Sequence, residues 1–352
     1  MLNLFKMKSL KIIILLLFAL IILGCTSTTN DRKEIESFTG FEGLTVEFGK
    51  NAPPLKVFEQ SSFPVLLKIR NNGANNIANN NGVLTIGRER DYVSRIRFER
   101  NSRLVIDPNS DNKVNFSLDG KTLINTKGDE LIVYFDTDTG RLEPQSEQKN
   151  SVITANLCYP YHTNLSTTIC IDPDVVGLKP GQKVCQVKDL TFSSGQGAPI
   201  AITRIEEQII PVIDQDIVKP QFLIFIENKG SGNPIDIKSY ENVCGKADLA
   251  NQPADQKNNI WNVAYVRAFA SGNEQLVCCP NKEGQCRDDS TNPNDWVAFV
   301  RFRDNKDFVR CTFRNGISKD DAAFTSPIKI EVEYGYAQTV SAVFTIQKPL
   351  RY

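Results

Sequence analysis

A single histidine in 352 residues, His162, and the lack of any Cys-x-x-Cys pair set the first limits on chemistry. A Ser-His-Asp or Cys-His nucleophile would have to be built on that one imidazole. Tetrahedral zinc loses both its usual spacing and its usual nitrogen ligands. An excess of charge is missing too: Lys+Arg 41 balances Asp+Glu 41. That balance leaves no electrostatic footprint for nucleic acid and no basic face for anionic lipid. From Phe41 onward no segment sustains a 3.6-residue apolar period, which excludes a helical bundle. The longest apolar run, Ile12 to Leu23, is too short for the roughly 20 residues of a membrane span.

That run does have a reading. Lys6, Lys8 and Lys11 precede it, and Gly24-Cys25 follows, which is the layout of an export signal. The ending Ile22-Leu23-Gly24-Cys25 resembles the lipobox of prokaryotic lipoproteins, with Ile22 where Leu is commoner. The resemblance implies that Cys25 is lipidated and becomes the first mature residue. The competing reading is an ordinary signal or short anchor ending by chance in Gly-Cys. A polar tether, Thr26 to Ser37, follows at once. Loss of the signal removes three lysines and no acids, leaving a charge near −3.

Setting Cys25 aside leaves Cys158, Cys170, Cys185, Cys244, Cys278, Cys279, Cys286 and Cys311. An even number in an exported chain favours disulfides over metal, with about a hundred possible pairings. Locality favours Cys158 with Cys170 across a hairpin, and Cys286 with Cys278 or Cys279. Cys185, Cys244, Cys311 and the leftover would then staple the second half.

What remains is short-period alternation. Leu44 to Phe48 and Phe63 to Arg70 alternate apolar and polar, as half-buried strands do, and similar runs continue to Ser341–Ile346. Asp119-Gly120 signals a two-residue hairpin, and Ile328–Tyr336 with Ser341–Ile346 reads as a final hairpin. Helices are short candidates only, at Asp236–Asn242 and Ser318–Ala323. Asp172-Pro173 and Pro180-Gly181 break both helix and strand, and mark a domain boundary. Two segments correspond: Phe63–Asn71 followed by Asn72-Gly73, and Lys219–Asn228 followed by Lys229-Gly230. Each is a strand ending in Asn-x-Gly, which suggests a duplication with Asn and Gly turning the chain at positive φ. The pattern resembles immunoglobulin-like, cell-adhesion-related (CARDB-like) modules of bacterial and archaeal surface proteins.

Other candidates each have a plainer account. Asp136-Thr137-Asp138-Thr139-Gly140 with Glu147 faintly resembles a calcium loop, but its glycine is misplaced, and a solvated turn after the strand Leu131 to Phe135 is the better account; Asp107-Asn109-Asp111 is another oxygen-rich loop. Ser194-Gly195-Gln196-Gly197 lacks a Walker lysine and suits a turn. His162 reads as a hairpin-tip residue, and Asn71 to Asn81 as a polar loop. Asn115 and Asn164 are N-glycosylation sequons, Asn164 on its hairpin being the better acceptor. Trp261 and Trp296 read as core, or as sugar-stacking surfaces if exposed.

The expectation is an all-β protein of two immunoglobulin-like β-sandwich domains in tandem after an N-terminal signal or lipid anchor. Its parts are a signal peptide (1–24), a lipidated polar tether (25–39), a first sandwich (40–174) and a second, disulfide-rich one (182–352). The expected role is non-catalytic: a membrane-anchored surface protein of the cell envelope that is structural, adhesive or binds a protein or glycan, with no cofactor, metal or nucleic acid. Competing functions are a surface glycan hydrolase using paired carboxylates and a solute-binding lipoprotein.

Overall fold

The computed structural model describes residues 38–179, 181–245, 260–271, 274–280 and 296–349. The signal, Cys25, most of the tether and Cys286 lie outside the described residues. No helix among those described is long and apolar enough to cross a membrane.

The described residues form three sheets. The first has the order β1 (Leu44–Phe48), β3 (Ser62–Asn71), β8 (Glu130–Thr139), β5 (Val93–Phe98). The second runs β10 (Leu190–Thr191), β11 (Ile200–Pro211), β12 (Ile217–Asn228), β18 (Lys306–Thr312), β16 (Val277–Pro280), with β19 (Ile317–Ser318) on β12. The third and largest runs β15 (Glu274–Gln275), β14 (Val263–Ala270), β20 (Phe324–Gln347), β9 (Gln148–Ile171), β4 (Ile77–Arg88), β7 (Lys113–Leu118), β6 (Leu104–Ile106). On it β2 (Lys56–Phe58) and β13 (Asn233–Ile235) pair with β20, and β17 (Ala298–Arg301) with β14.

Alternation forms these strands as the sequence implies. In β3, Phe63, Val65, Leu67 and Ile69 are buried while the residues between them are partly or fully exposed. One hydrophobic cluster runs through all three sheets, from Leu44 and Val65 through Ile153 and Ile330 to Ile200 and Phe222. Burial of such aliphatic side chains, at about 1.5–3 kcal/mol each, is the main term holding the sheets together.

The largest sheet runs across the expected boundary between the two sandwiches. Strands β9 and β20 pair antiparallel over 24 residues each, from Phe324↔Ile171 to Gln347↔Gln148. A continuous ladder therefore joins strands from both sides of residues 174–182. The expected final hairpin is one unbroken strand, because Ala337 to Val340 contain no residue that must leave extended geometry. Asp119-Gly120 closes no two-residue hairpin either: β7 and the next strand, β8, belong to different sheets. Of the polar loop Asn71 to Asn81, residues from Ile77 belong to β4, which carries an irregularity where Asn79 and Asn80 take positive φ. Helix α1 (Tyr240–Gly245) overlaps one expected helix; Ser318–Ala323 forms none, with Ile317–Ser318 a strand instead.

The disulfides are Cys158–Cys244, Cys170–Cys185 and Cys278–Cys311, and Cys279 is disulfide-bonded as well. The expected Cys158–Cys170 pair is wrong for a topological reason: both lie on β9, which runs straight between them. Cys278 faces Cys311 directly across β16 and β18, so it does not close onto Cys286. On the outer side of the largest sheet, Cys158 lies with Val83 under α1, where Ile235, Tyr240 and Cys244 complete a second small core.

Candidate functional site

The two halves meet at a cluster of four tyrosines. Tyr159 and Tyr161 on β9 share one face with two-residue spacing, as do Tyr334 and Tyr336 on β20. Antiparallel pairing sets Tyr161 opposite Tyr334 and Tyr159 opposite Tyr336, with Pro160 opposite Gly335 between them. All four rings are essentially buried and pack with centroids 5.6–6.3 Å apart. Burial raises every one of these hydroxyls, Tyr336 to about 12, so each stays a proton donor at neutral pH.

Their partners repeat between the halves. The Leu44 amide donates to Tyr159 Oη at 3.1 Å, and the Ile200 amide to Tyr334 Oη at 3.4 Å. Tyr161 Oη donates to Asn71 Oδ1 at 3.4 Å, and Tyr336 Oη to Asn228 Oδ1 at 3.0 Å. Asn71 Nδ2 reaches the Asn75 carbonyl, and Asn228 Nδ2 the Gly232 carbonyl, each four residues on. The Asn72 amide bonds the Gly43 carbonyl and the Lys229 amide the Pro199 carbonyl, at 2.9 and 2.8 Å. This is one bonding scheme used twice, and it makes the duplication a matter of geometry.

It also changes the meaning of Asn-x-Gly. Asn71, Gly73, Asn228 and Gly230 are not at positive φ. The asparagines are buried for their side-chain bonds. The glycines leave room for a hydroxyl: a Cβ on Gly73 would lie 1.9 Å from Tyr161 Oη, and one on Gly230 2.3 Å from Tyr336 Oη. Each Tyr-x-Tyr pair is the mate of one Asn-x-Gly, a link that no short-range sequence signal carries.

Beside this cluster opens a groove of about 500 Å³. Its lining comes from the entry to β1, from Lys121, from Pro199 before β11, from Lys229 to Ser231 after β12, and from Gln338. Ser194 to Gly197 forms a backbone clasp next to it: Gly40 donates to Ser194, Gly197 to Gly40 and Ala74 to Gly197, at 2.7–2.9 Å. Those bonds make it a structural turn, not a phosphate cradle.

The other sequence candidates are scattered. His162 lies within β9, not at a hairpin tip, and burial lowers its pKa. Asp136 and Asp138 are in strand β8, so no calcium loop exists there; Asp138 is gripped by both terminal nitrogens of Arg97, which lowers its pKa. In the Asp107–Asp111 loop, Asp111 pairs with Arg88 at 2.7 Å. No metal-holding cluster of acids, histidines or cysteines occurs among the described residues. Asn115 lies in β7, its amide donating to the Asn80 carbonyl at 3.1 Å. Asn164 is exposed but sits mid-strand in β9 and not on a loop, for the same reason that the Cys158–Cys170 hairpin fails. Trp296 is buried against Arg314 and Trp261 is half-buried beside Ile235.

One carboxyl is perturbed upward. Glu207 on β11 has a buried Oε1 without a partner, and desolvation raises its pKa to about 7. The folded state then holds a proton that the unfolded chain releases near pH 4.5. Its stabilising contribution is full below that value and is lost as pH rises through about 7. Partial exposure reduces the effect to about 1–2 kcal/mol. Glu207→Gln should therefore be more stable than the parent at pH 8 but not at pH 4.5, as read by denaturant midpoints. Parallel pH curves for the two proteins would contradict this.

No family model matches the chain, and no curated protein matches it. Among solved structures, the C-terminal domain of the Streptococcus pyogenes antigen I/II-family protein AspA aligns at 5% identity, covering 88% of this chain and 100% of that one, with a TM-score of 0.19. The Streptococcus agalactiae AgI/II polypeptide BspA C-terminal domain aligns at 7%, covering 87% and 100%, TM-score 0.18. Collagen adhesin from S. aureus aligns at 9%, covering 89% and 94%, TM-score 0.16. TM-scores this low fall short of a common chain arrangement.

Proposed function

We propose that this is a non-catalytic, lipid-anchored protein of the cell envelope that presents a rigid duplicated β-structure to a surface partner. The observation carrying it is the set of disulfides. Cross-links between distant segments form and persist in oxidising compartments outside the cytosol, and the N-terminal signal layout supplies the route. Cys25 is then the attachment point, and residues 26–37 the spacer that lets the β-structure stand off the membrane. The groove between the halves supplies a concave surface suited to a ligand.

Cys25→Ser tests the anchor. Wild-type protein from the native host should enter the detergent phase on Triton X-114 separation, and the variant should remain in the aqueous phase. Equal partitioning of both would mean an uncleaved apolar anchor or none at all.

A further inference from the structure

We infer that the groove at the junction of the halves is a binding site for a neutral oligosaccharide. This rests on the surface-partner reading above and names the class of partner. Four side chains lining the groove, Glu42, Lys121, Ser231 and Gln338, make no hydrogen bond or ion pair among the described residues. Together they offer an acceptor only, a donor only, and two groups that do both. Vicinal sugar hydroxyls, each donor and acceptor, need that mixture.

Charge argues for a neutral ligand. The lining holds Glu42, Lys121 and Lys229, and Lys229 is paired with Glu227 just outside it, so the groove has no large excess of either sign to select a charged ligand. Gly40 leaves open backbone on the groove side, where a Cβ would meet nothing nearer than Lys121 Nζ at 4.0 Å, and Phe41 adds an apolar surface. Gln338 points there because it continues the face of Tyr334 and Tyr336 along β20. A peptide adding as a strand would need free backbone groups. Here the Leu44 and Ile200 amides are held by tyrosines, and the Gly43 and Pro199 carbonyls by Asn72 and Lys229.

The test is calorimetric titration of the intact, disulfide-bonded protein with cellotriose, maltotriose and triacetylchitotriose, alongside trigalacturonate and an uncharged octapeptide. At least one neutral trisaccharide should bind with millimolar affinity or better. Lys121→Ala and Gln338→Ala should weaken it about tenfold, a loss of about 1.4 kcal/mol each. Ser231→Trp should fill the groove and abolish binding. Lys188→Ala, on a separate concavity near Cys170–Cys185, should change nothing. Binding of no neutral probe, binding unchanged in the three groove variants, or preference for the acidic sugar or the peptide would overturn the assignment. Detergent partitioning does not depend on the groove, so failure here with an intact Cys25 effect refutes the ligand alone.

Discussion

Asn71→Ala should lower folding stability by about 3–5 kcal/mol. The side chain is fully buried and takes part in four hydrogen bonds: to the Asn75 and Leu118 carbonyls, from the Gly73 amide, and from Tyr161 Oη. A typical bond contributes about 1 kcal/mol net, but a buried group left unpaired costs about 1–3 kcal/mol. Alanine orphans several at once, in a site where neighbouring glycine and tyrosine admit little rearrangement. Asn228→Ala should behave alike in the second half, through Gly232 and Tyr336. Asn72→Ala, which loses one part-buried bond to Thr45, should cost under about 1 kcal/mol. Urea midpoints measure all three. A cycle of Asn71→Ala with Tyr161→Phe should show coupling above about 0.5 kcal/mol, since the residues share a bond. A change within about 0.5 kcal/mol for Asn71→Ala would show that the paired Asn–Tyr scheme does not hold the halves.

Removing Cys158–Cys244 should be the costliest disulfide loss. It joins residues 86 apart in sequence, whereas Cys170–Cys185 joins residues 15 apart. Loop-closure entropy puts the stabilisation at about 4–5 kcal/mol for the first and about 3 for the second. The bond also pins α1 over the largest sheet, where Thr85 Oγ1 donates to the Cys244 carbonyl at 2.7 Å. Without it, Val83, Ile235 and Tyr240 lose their cover, so the double alanine variant should additionally gain protease sensitivity near α1. Thermal and denaturant unfolding of the two double variants gives the ranking. The entropic account is wrong if the Cys170/Cys185 variant is the less stable of the two.

How far the sequence alone reaches is clearest at particular residues. Phe63, Val65, Leu67 and Ile69 announce a strand because alternation is a local property, readable within a few residues. The Asn-x-Gly correspondence was visible for the same reason, although its purpose was not. A glycine after a strand suggests a turn, and nothing nearby says that a tyrosine some ninety positions away fills the space. His162, Asn164 and Cys158 were misplaced together, because a straight strand of 24 residues contains the same short-range signals as a hairpin with a polar tip.

The sequence by itself determined the all-β class, the bias toward disulfides and the existence of a repeat. Each follows from residue type or from spacing over short distances. Only the tertiary structure decided which cysteines pair, that β9 and β20 fuse the halves into one ladder, and that four tyrosines lock the junction beside a groove. Those outcomes depend on which distant strands come together, and that choice is made by the summed burial of many side chains, which no single segment encodes.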